Sequence, residues 1–530
     1  MDEKAEAVAT VQDPKRSKHN SLSKTSTLSQ ERSDGASLAT AHAVSGARDS
    51  AFLKKDEATE KAEEVNESDD WATDPENARN WSGLRKWTSM LVVSFYTLIP
   101  PLASSMMAPG LPEVAAKYNI TSPTVTALTL SIFLISFALA PLVLGPLSEM
   151  YGRKWIMHIA NVFTLGFSLG CAWSPTVGSL IAFRFMTGFS GSAPIAIGGG
   201  VVSDLFSERD RASAMALFSL GPLLGPAIGP VAGGFITAAG GIKWVFIAIA
   251  LTCGVASVVA LPLLRETYGP VIQKRREHKR LAADPEAAAR AASASQQTTR
   301  EKLQVLYDNL TRPVILLTRS FICFILSAFM AFVYGIYYLM FSTFADFFSE
   351  TYGFGAGVGG LVYLGLGIGF ISATLVGAKF ADRIYKTLAD KNGGKGKPEM
   401  RIPALFVGAI LVPIGLLWFG WSAQEKIHWI MPIIGSGIFG FAFMTTYLPI
   451  QLYLIDAFEY AASAVSAAAV FRSVLGFAFP LFGKQMFDAL GEGGGNTLLA
   501  GIAAVLGIPF PIWIYLKGEE LRARNPLTRR

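Results

Sequence analysis

Gly145-Pro-Leu-Ser-Glu149-Met-Tyr-Gly152-Arg153-Lys154 is the stretch that decides the architecture of this chain. It is a short polar turn between apolar runs at about 124–146 and 155–173. A weaker copy, Ala378-Lys-Phe-Ala-Asp382-Arg383, follows another apolar run more than two hundred residues later. Small residue, acid and base recur at one address in each half, which reads as a duplicated membrane bundle.

Working outward, apolar runs fall at about 87–108, 124–146, 155–173, 177–201, 212–237 and 243–263, then at 321–345, 357–378, 402–422, 428–453, 462–483 and 497–517. A membrane helix needs roughly 20 mostly apolar residues, so these runs predict twelve transmembrane helices, six before and six after a polar stretch. Hydrophobic residues make up 51% of the 530 and charged residues 16%, with a mean hydropathy of +0.39. Soluble domains carry about 25% charged residues, so a multidomain soluble protein is excluded. The expected fold class is an all-α membrane protein with a first six-helix bundle at 83–264, a central loop at 265–313, a second bundle at 314–517 and a C-terminal tail at 518–530. Residues 1–82 are rich in Ser, Thr, Ala, Lys and Glu and hold no useful apolar run. Such a segment buries too little apolar surface to offset its ordering entropy, so a disordered tail is expected. Acidic Asp2 and Glu3, with no apolar core after them, exclude a signal peptide.

Lysine and arginine asymmetry sets the expected orientation. With the N-terminus in the cytoplasm, cytoplasmic loops and the C-tail hold about 26 bases. The outer loops hold Lys117, Lys243, Lys426 and Lys484. The net charge of +6 therefore belongs to membrane topology and not to nucleic-acid binding. Of the sequons at Asn66, Asn80, Asn119 and Asn309, only Asn119 is expected outside, where it is a candidate glycosylation site. Cys171, Cys253 and Cys323 lie in apolar runs with no CxxC spacing, so neither a disulfide framework nor a metal site is expected. No phosphate loop, HExxH or believable nucleophile elbow occurs, so an ATP-driven pump and an enzyme both lack support, and no cofactor is expected.

The fifth run reads Gly221-Pro-Leu-Leu-Gly225-Pro226-Ala-Ile-Gly229-Pro230-Val-Ala-Gly233-Gly234. Glycines four apart share one helical face and admit a second backbone at close range. The reading is a packing seam, or a hinge between the two halves. The eighth run has a looser version, Gly365-x-Gly367-x-Gly369.

These motifs carry a family resemblance. The 145–154 turn resembles the loop signature between helices two and three of the major facilitator superfamily. Residues 221–234 resemble the helix-five signature of its antiporters, and Arg184 in Phe183-Arg-Phe-Met-Thr-Gly188 resembles their helix-four arginine signature. Asp74-Pro-Glu-Asn, Arg265-Glu-Thr-Tyr268-Gly-Pro270, Leu417-Trp-Phe-Gly-Trp421-Ser, Tyr460-Ala-Ala-Ser-Ala and Phe479-Pro-Leu-Phe-Gly483 add to it. Over about residues 74–526 the chain resembles twelve-helix drug:proton antiporters, fungal multidrug and secondary-metabolite exporters in particular. The resemblance implies a major facilitator fold with helices one, four, seven and ten around a central cavity. It also implies proton-driven export of drug-like small molecules by alternating access, from a monomer in the plasma or vacuolar membrane. Departures are Glu149 in place of aspartate, Ala378 and Lys379 in the second copy, and no Pro-Glu-Ser-x-Arg element of the sugar branch.

The resemblance pairs the turn arginine with an acid ending helix four, where Asp204 stands. Glu149, Arg153 and Asp204 are thus expected to form a conformational latch for the outward-open state, with Asp382 and Arg383 as a less precise second copy. The alternative is solvated loop charge. Arg184 and Arg472 lie inside apolar runs, where an unpaired arginine costs at least about 2.5–3.5 kcal/mol. The resemblance gives Arg184 a role in proton coupling or anion binding; snorkelling or pairing with backbone carbonyls competes for Arg472. The first helix offers no carboxylate, and Asp204, Asp346, Asp456 and Glu459 lie near helix ends. Proton antiport therefore comes from the resemblance, and uniport stays open.

For the substrate cavity, helix seven offers Phe332, Tyr334, Tyr337, Tyr338 and Phe344, and helix ten offers Tyr447 and Gln451. Aromatic rings with polar edges suit amphipathic organic molecules, although an aromatic stripe also serves packing. The competing readings are an importer or facilitator for an organic acid or polyamine and, in a different class, a nontransporting receptor.

Overall fold

Backbone groups inside a bilayer are satisfied only within helices or closed barrels, and every apolar run of this chain is helical. The computed structural model describes residues 71, 73–207, 210–283, 299–458, 461–525 and 527–528. The first half comprises Gly83–Ser105 (continued by Leu111–Lys117), Pro123–Tyr151, Arg153–Ala172, the broken pair Val177–Gly191 and Ala193–Leu205, Arg211–Gly240 and Ile242–Leu263. These are spans one to six. In the second half, span seven is Phe321–Tyr352 and span eight runs from Ala356 to Lys391. Span nine is Ile402–Gln424 and span ten Ile430–Ala457, and Ala461–Gly507 with Pro509–Ala523 completes the chain.

Among the described residues eleven helices are long and apolar enough to cross a membrane. The last, Ser463–Ala523, is 61 residues long. At 1.5 Å per residue it would reach roughly 90 Å, three times the hydrocarbon thickness. It does not run straight: Gly491 takes φ 72° and ψ 167°, outside helical geometry, and the chain reverses there. That segment therefore holds spans eleven and twelve, and the expected count of twelve stands. Among the described residues there is no β-strand, only an isolated bridge between Phe458 and Thr528.

Some expectations change. Much of the 1–82 tail lies outside the described residues, but 74–82 is ordered. Asp74 accepts the Glu76 N–H at 2.7 Å, and Asn77 caps the short 3-10 helix Ala78–Asn80. In the central loop, residues 265–268 are non-helical, and helices follow over Gly269–Ala283 and Thr299–Arg319. Span twelve continues to Ala523, so residues 518–523 are helix and not tail. Asn66, Glu459 and Tyr460 lie outside the described residues.

The glycine run packs on two faces, one within the first bundle and one towards the second. A side chain at Gly225 would meet Pro101 Cβ at 2.6 Å and Leu102 N at 2.9 Å, and one at Gly221 would meet Leu98 N at 2.7 Å. Gly229 and Gly233 press likewise on Ser105 and Met106. The i, i+4 glycines thus join span five to span one within the first bundle. The seam between bundles uses the neighbouring face. There Pro230 and Gly234 meet Gly360 and Ala356, and Ala227 meets Gly367 of span eight. Gly365 and Gly369 turn the other way, onto span ten.

On the face opposite the 145–154 turn the bundles also meet through Thr124. It donates to the Leu481 carbonyl at 3.0 Å and accepts from Gln485 at 2.6 Å. Nearer the middle, Ser104 of span one and Tyr338 of span seven share a 3.1 Å hydrogen bond.

Candidate functional site

Two groups of residues stand out, one at the turn face and one midway along the spans. At the turn face, Gly152 (φ 104°) ends span two and lets span three begin immediately with Arg153. The exposed amides of that helix start are held by Glu266, which accepts from Arg153 N at 2.8 Å and Lys154 N at 3.2 Å. A carboxylate at a helix N-terminus satisfies orphan N–H groups and complements the helix dipole. The Arg153 side chain is 9% exposed. It lies 3.6 Å from Glu149, 3.5 Å from Asp204 and 4.8 Å from the centre of the Tyr268 ring, and donates to Ser148 at 2.8 Å. Gly200 makes this possible, since a side chain there would meet the guanidinium at 2.9 Å. Thr267 donates to Asp204 at 3.1 Å. Burial and the nearby Glu149 hold the Tyr268 hydroxyl above its usual range. Glu149, Arg153 and Asp204 are thus brought together, but wholly inside the first bundle. Glu266, Thr267 and Tyr268 join them; their signal in the sequence was the Arg265-Glu-Thr-Tyr268 motif, read there without a role.

The second bundle repeats this arrangement with a different arginine. Arg401, at the start of span nine, lies 3.1 Å from Asp456, next to last in span ten, and 3.9 Å from Asp382 of span eight. Its guanidinium stacks 3.7 Å from the centre of the Tyr385 ring. Arg383, the expected partner, is exposed. Two residues before Arg401, buried Glu399 grips Arg522 of span twelve through two bonds of 2.7 and 3.0 Å. The bidentate geometry makes this a strong tie.

Midway along the spans, Arg184 is 1% exposed. It donates to the carbonyls of Ala103 at 2.8 Å, Thr129 at 3.3 Å and Leu130 at 3.4 Å, and lies 5.0 Å from the Phe133 ring centre. One guanidinium thereby joins spans one, two and four. Across the bundle interface, Phe443, Tyr447 and Gln451 form an i, i+4, i+8 stripe on span ten, and Tyr334 and Tyr338 form an i, i+4 pair on span seven. Arg472 of span eleven reaches between them. Its Nη1 donates to the Tyr447 hydroxyl at 2.9 Å, and the guanidinium lies 5.0 Å from the Tyr334 ring centre and 5.4 Å from that of Tyr447. Gln451 donates to the same hydroxyl at 2.9 Å. Arg472 is therefore held by tyrosines, not by the backbone carbonyls considered from sequence. Gly476, one turn on, leaves room where Tyr334 and Leu134 of the first bundle converge.

Tyr334, Tyr447, Gln451 and Arg472 are half-buried. Tyr337 turns inward against Phe341, Phe370 and Phe443. Phe332 packs on Phe479 and Phe344 on Phe419, so both serve the second bundle's core. Asp346 lines a cavity of about 310 Å³ on the opposite face with Glu350, Lys484, Asp488 and Glu492. Asn119 is exposed on that face, with a left-handed φ of 50° that asparagine tolerates.

Residues 93–480 match the profile of the Major Facilitator Superfamily. The chain belongs to that superfamily. Among major facilitator proteins, it is 43% identical over 459 residues to "Efflux pump radE" of Floropilus chiversii, covering 86% of this chain and 84% of that protein. It is 41% identical over 467 residues to "MFS-type transporter penM" of Penicillium rubens, covering 87% and 91%. The fold is similar to that of the xylose transporter XylE from E. coli in a partially occluded inward-open conformation, with a TM-score of 0.60 at 15% identity, covering 82% of this chain and 98% of that one. The protein is a multi-pass membrane transporter and not an enzyme.

Proposed function

We propose that this transporter exports drug-like or secondary-metabolite small molecules by proton antiport with alternating access. The observation that carries the reading is the half-buried group of Tyr334, Tyr447, Gln451 and Arg472 at the bundle interface. Rings with polar edges grip amphipathic organic molecules, and relatives over most of the chain are named efflux pumps. A polyamine cargo fits less well, because Arg472 would repel it and no carboxylate pairs with that arginine among the described residues.

Alternating access needs bundles that move as bodies. The Arg153 and Arg401 clusters tie helix ends within each bundle, and the inter-bundle seam rests on glycine contacts with few hydrogen bonds. In this reading the turn face is cytoplasmic, Asn119 lies outside and can carry a glycan, and a monomer works in the plasma membrane. Arg184 holds the cavity wall through spans one, two and four. The test is efflux of a panel of fluorescent drug-like dyes from cells expressing the full chain. Export should stop when a protonophore collapses the gradient. Efflux that persists without a gradient refutes antiport, and ligand-triggered signalling without flux refutes the transporter mechanism.

A further inference from the structure

Among the described residues, the buried and half-buried arginines named above are matched by carboxylate or carbonyl acceptors, except Arg472. Arg153 faces Glu149 and Asp204, Arg401 faces Asp382 and Asp456, and Arg522 is gripped by Glu399. Arg184 spends its guanidinium on three carbonyls. Arg472 has neither a carboxylate nor a carbonyl among the described residues. Its Nε is buried without an acceptor. Its one hydrogen bond runs to the Tyr447 hydroxyl, and the remaining compensation comes from the faces of Tyr334 and Tyr447. Ring faces beside a guanidinium recover only part of the cost of an intramembrane cation.

The hydroxyl itself points to the same deficit. Tyr447 Oη accepts from both Arg472 and Gln451, at 2.9 Å each. With its lone pairs engaged, its own proton is left to donate. Arg472 Nε, the Tyr447 hydroxyl and the second N–H of Gln451 therefore form a cluster of donors that lacks one component, an acceptor carrying negative charge. Aromatic rings adjoin it. The rings of Phe443 and Tyr447 lie 11° from parallel at 6.0 Å, and Tyr334 sits 6.1 Å from Phe443. Arg472, Tyr447 and Gln451 are partly exposed, so the cluster is open to a ligand, unlike Arg184.

We infer that Arg472 is the anchor for an anionic group on the cargo, and that the cargo is an aryl-bearing organic anion such as an aromatic carboxylate or ionised phenol. The anion completes the donor set of Arg472, Tyr447 and Gln451, and the ring lies along the half-buried Tyr334 and Tyr447. This rests on the reading of the tyrosine group as the cargo site.

The test uses the full-length protein in lipid nanodiscs and three probes that share a naphthalene ring: 1-naphthoate, neutral 1-naphthalenemethanol and cationic 1-naphthylmethylamine. Binding is measured by calorimetry near neutral pH. The wild-type protein should bind naphthoate at least about tenfold more tightly than either other probe, the scale expected of a charge-assisted contact. Arg472→Gln should erase the preference, weakening naphthoate at least about tenfold more than the neutral probe. Arg472→Lys should keep part of it. Tyr447→Phe, which retains the ring, should weaken naphthoate alone, and these two variants keep the test open if Arg472→Gln does not fold. Equal affinities in the wild type, no binding of any probe, or equal loss for all three in Arg472→Gln would each overturn the inference. Wild-type protein that exports dyes under a proton gradient without this preference discards the anion anchor and leaves the exporter reading intact.

Discussion

Arg401 Nε lies 3.1 Å from Asp456 Oδ2, at the address in the second bundle that Arg153 and Asp204 hold in the first at 3.5 Å. Each arginine stands at the start of the third span of its bundle, Arg153 as its first residue and Arg401 as its N-cap, and each aspartate is next to last in the fourth. Each guanidinium also meets a tyrosine face, Tyr385 or Tyr268. The duplication thus extends beyond the helix count to the charges at helix ends. Arg401→Ala is expected to destabilise the protein by about 1.5–3 kcal/mol, the value of hydrogen bonds to charged groups, and to reduce efflux severalfold. Arg383→Ala should leave both near wild type. Thermal unfolding in detergent and dye efflux measure the two effects. Equal losses from the two variants would refute the Arg401 assignment.

Glu266 caps the start of span three from a segment more than a hundred residues away. Glu266→Gln keeps the shape and removes the charge, so it should cost about 1–2 kcal/mol. Glu266→Lys should prevent accumulation of folded protein, because a cation would face the positive end of the helix. Expression and thermal unfolding check both outcomes.

Close approach of spans one and five leaves no volume at Gly225 or Gly233. Gly225→Val should destabilise by about 1–3 kcal/mol through overpacking and lower the amount of folded protein. Gly166→Ala is the control, since nothing lies within 4 Å of the added carbon. Loss of folding in the control, with a tolerated Gly225→Val, would contradict the packing described.

Arg184 binds carbonyls on two neighbouring spans through three separate nitrogens. Lysine has one nitrogen and no fork. Arg184→Lys should therefore retain charge yet lose thermal stability and most dye efflux. Normal flux with normal stability in Arg184→Lys would remove the fork geometry from the mechanism.

The expectation for Asp382 and Arg383 shows where sequence reading reached its limit. Consecutive residues on a helix diverge by about 100°, so within Ala378–Lys391 only one of the two can face Arg401. In the first copy Glu149 and Arg153 belong to different helices separated by Gly152, and the break brings them together. The same residue types in the two copies therefore meant different geometry. Arg472 was visible as an intramembrane charge, but its tyrosine partners come from spans seven and ten, and no spacing along the chain couples them.

What the sequence determined by itself is the set of spans, their duplication and the addresses of the polar turns. Those follow from a local requirement, since an apolar stretch of bilayer length must satisfy its own backbone as a helix. Partner choice was decided only by tertiary structure. Arg401 with Asp456, Glu266 with the start of span three, and Arg472 with Tyr447 are each brought together by helix packing across long chain separations. A side chain's partner depends on which faces meet, and those faces are set by glycine contacts and helix breaks acting over the whole bundle.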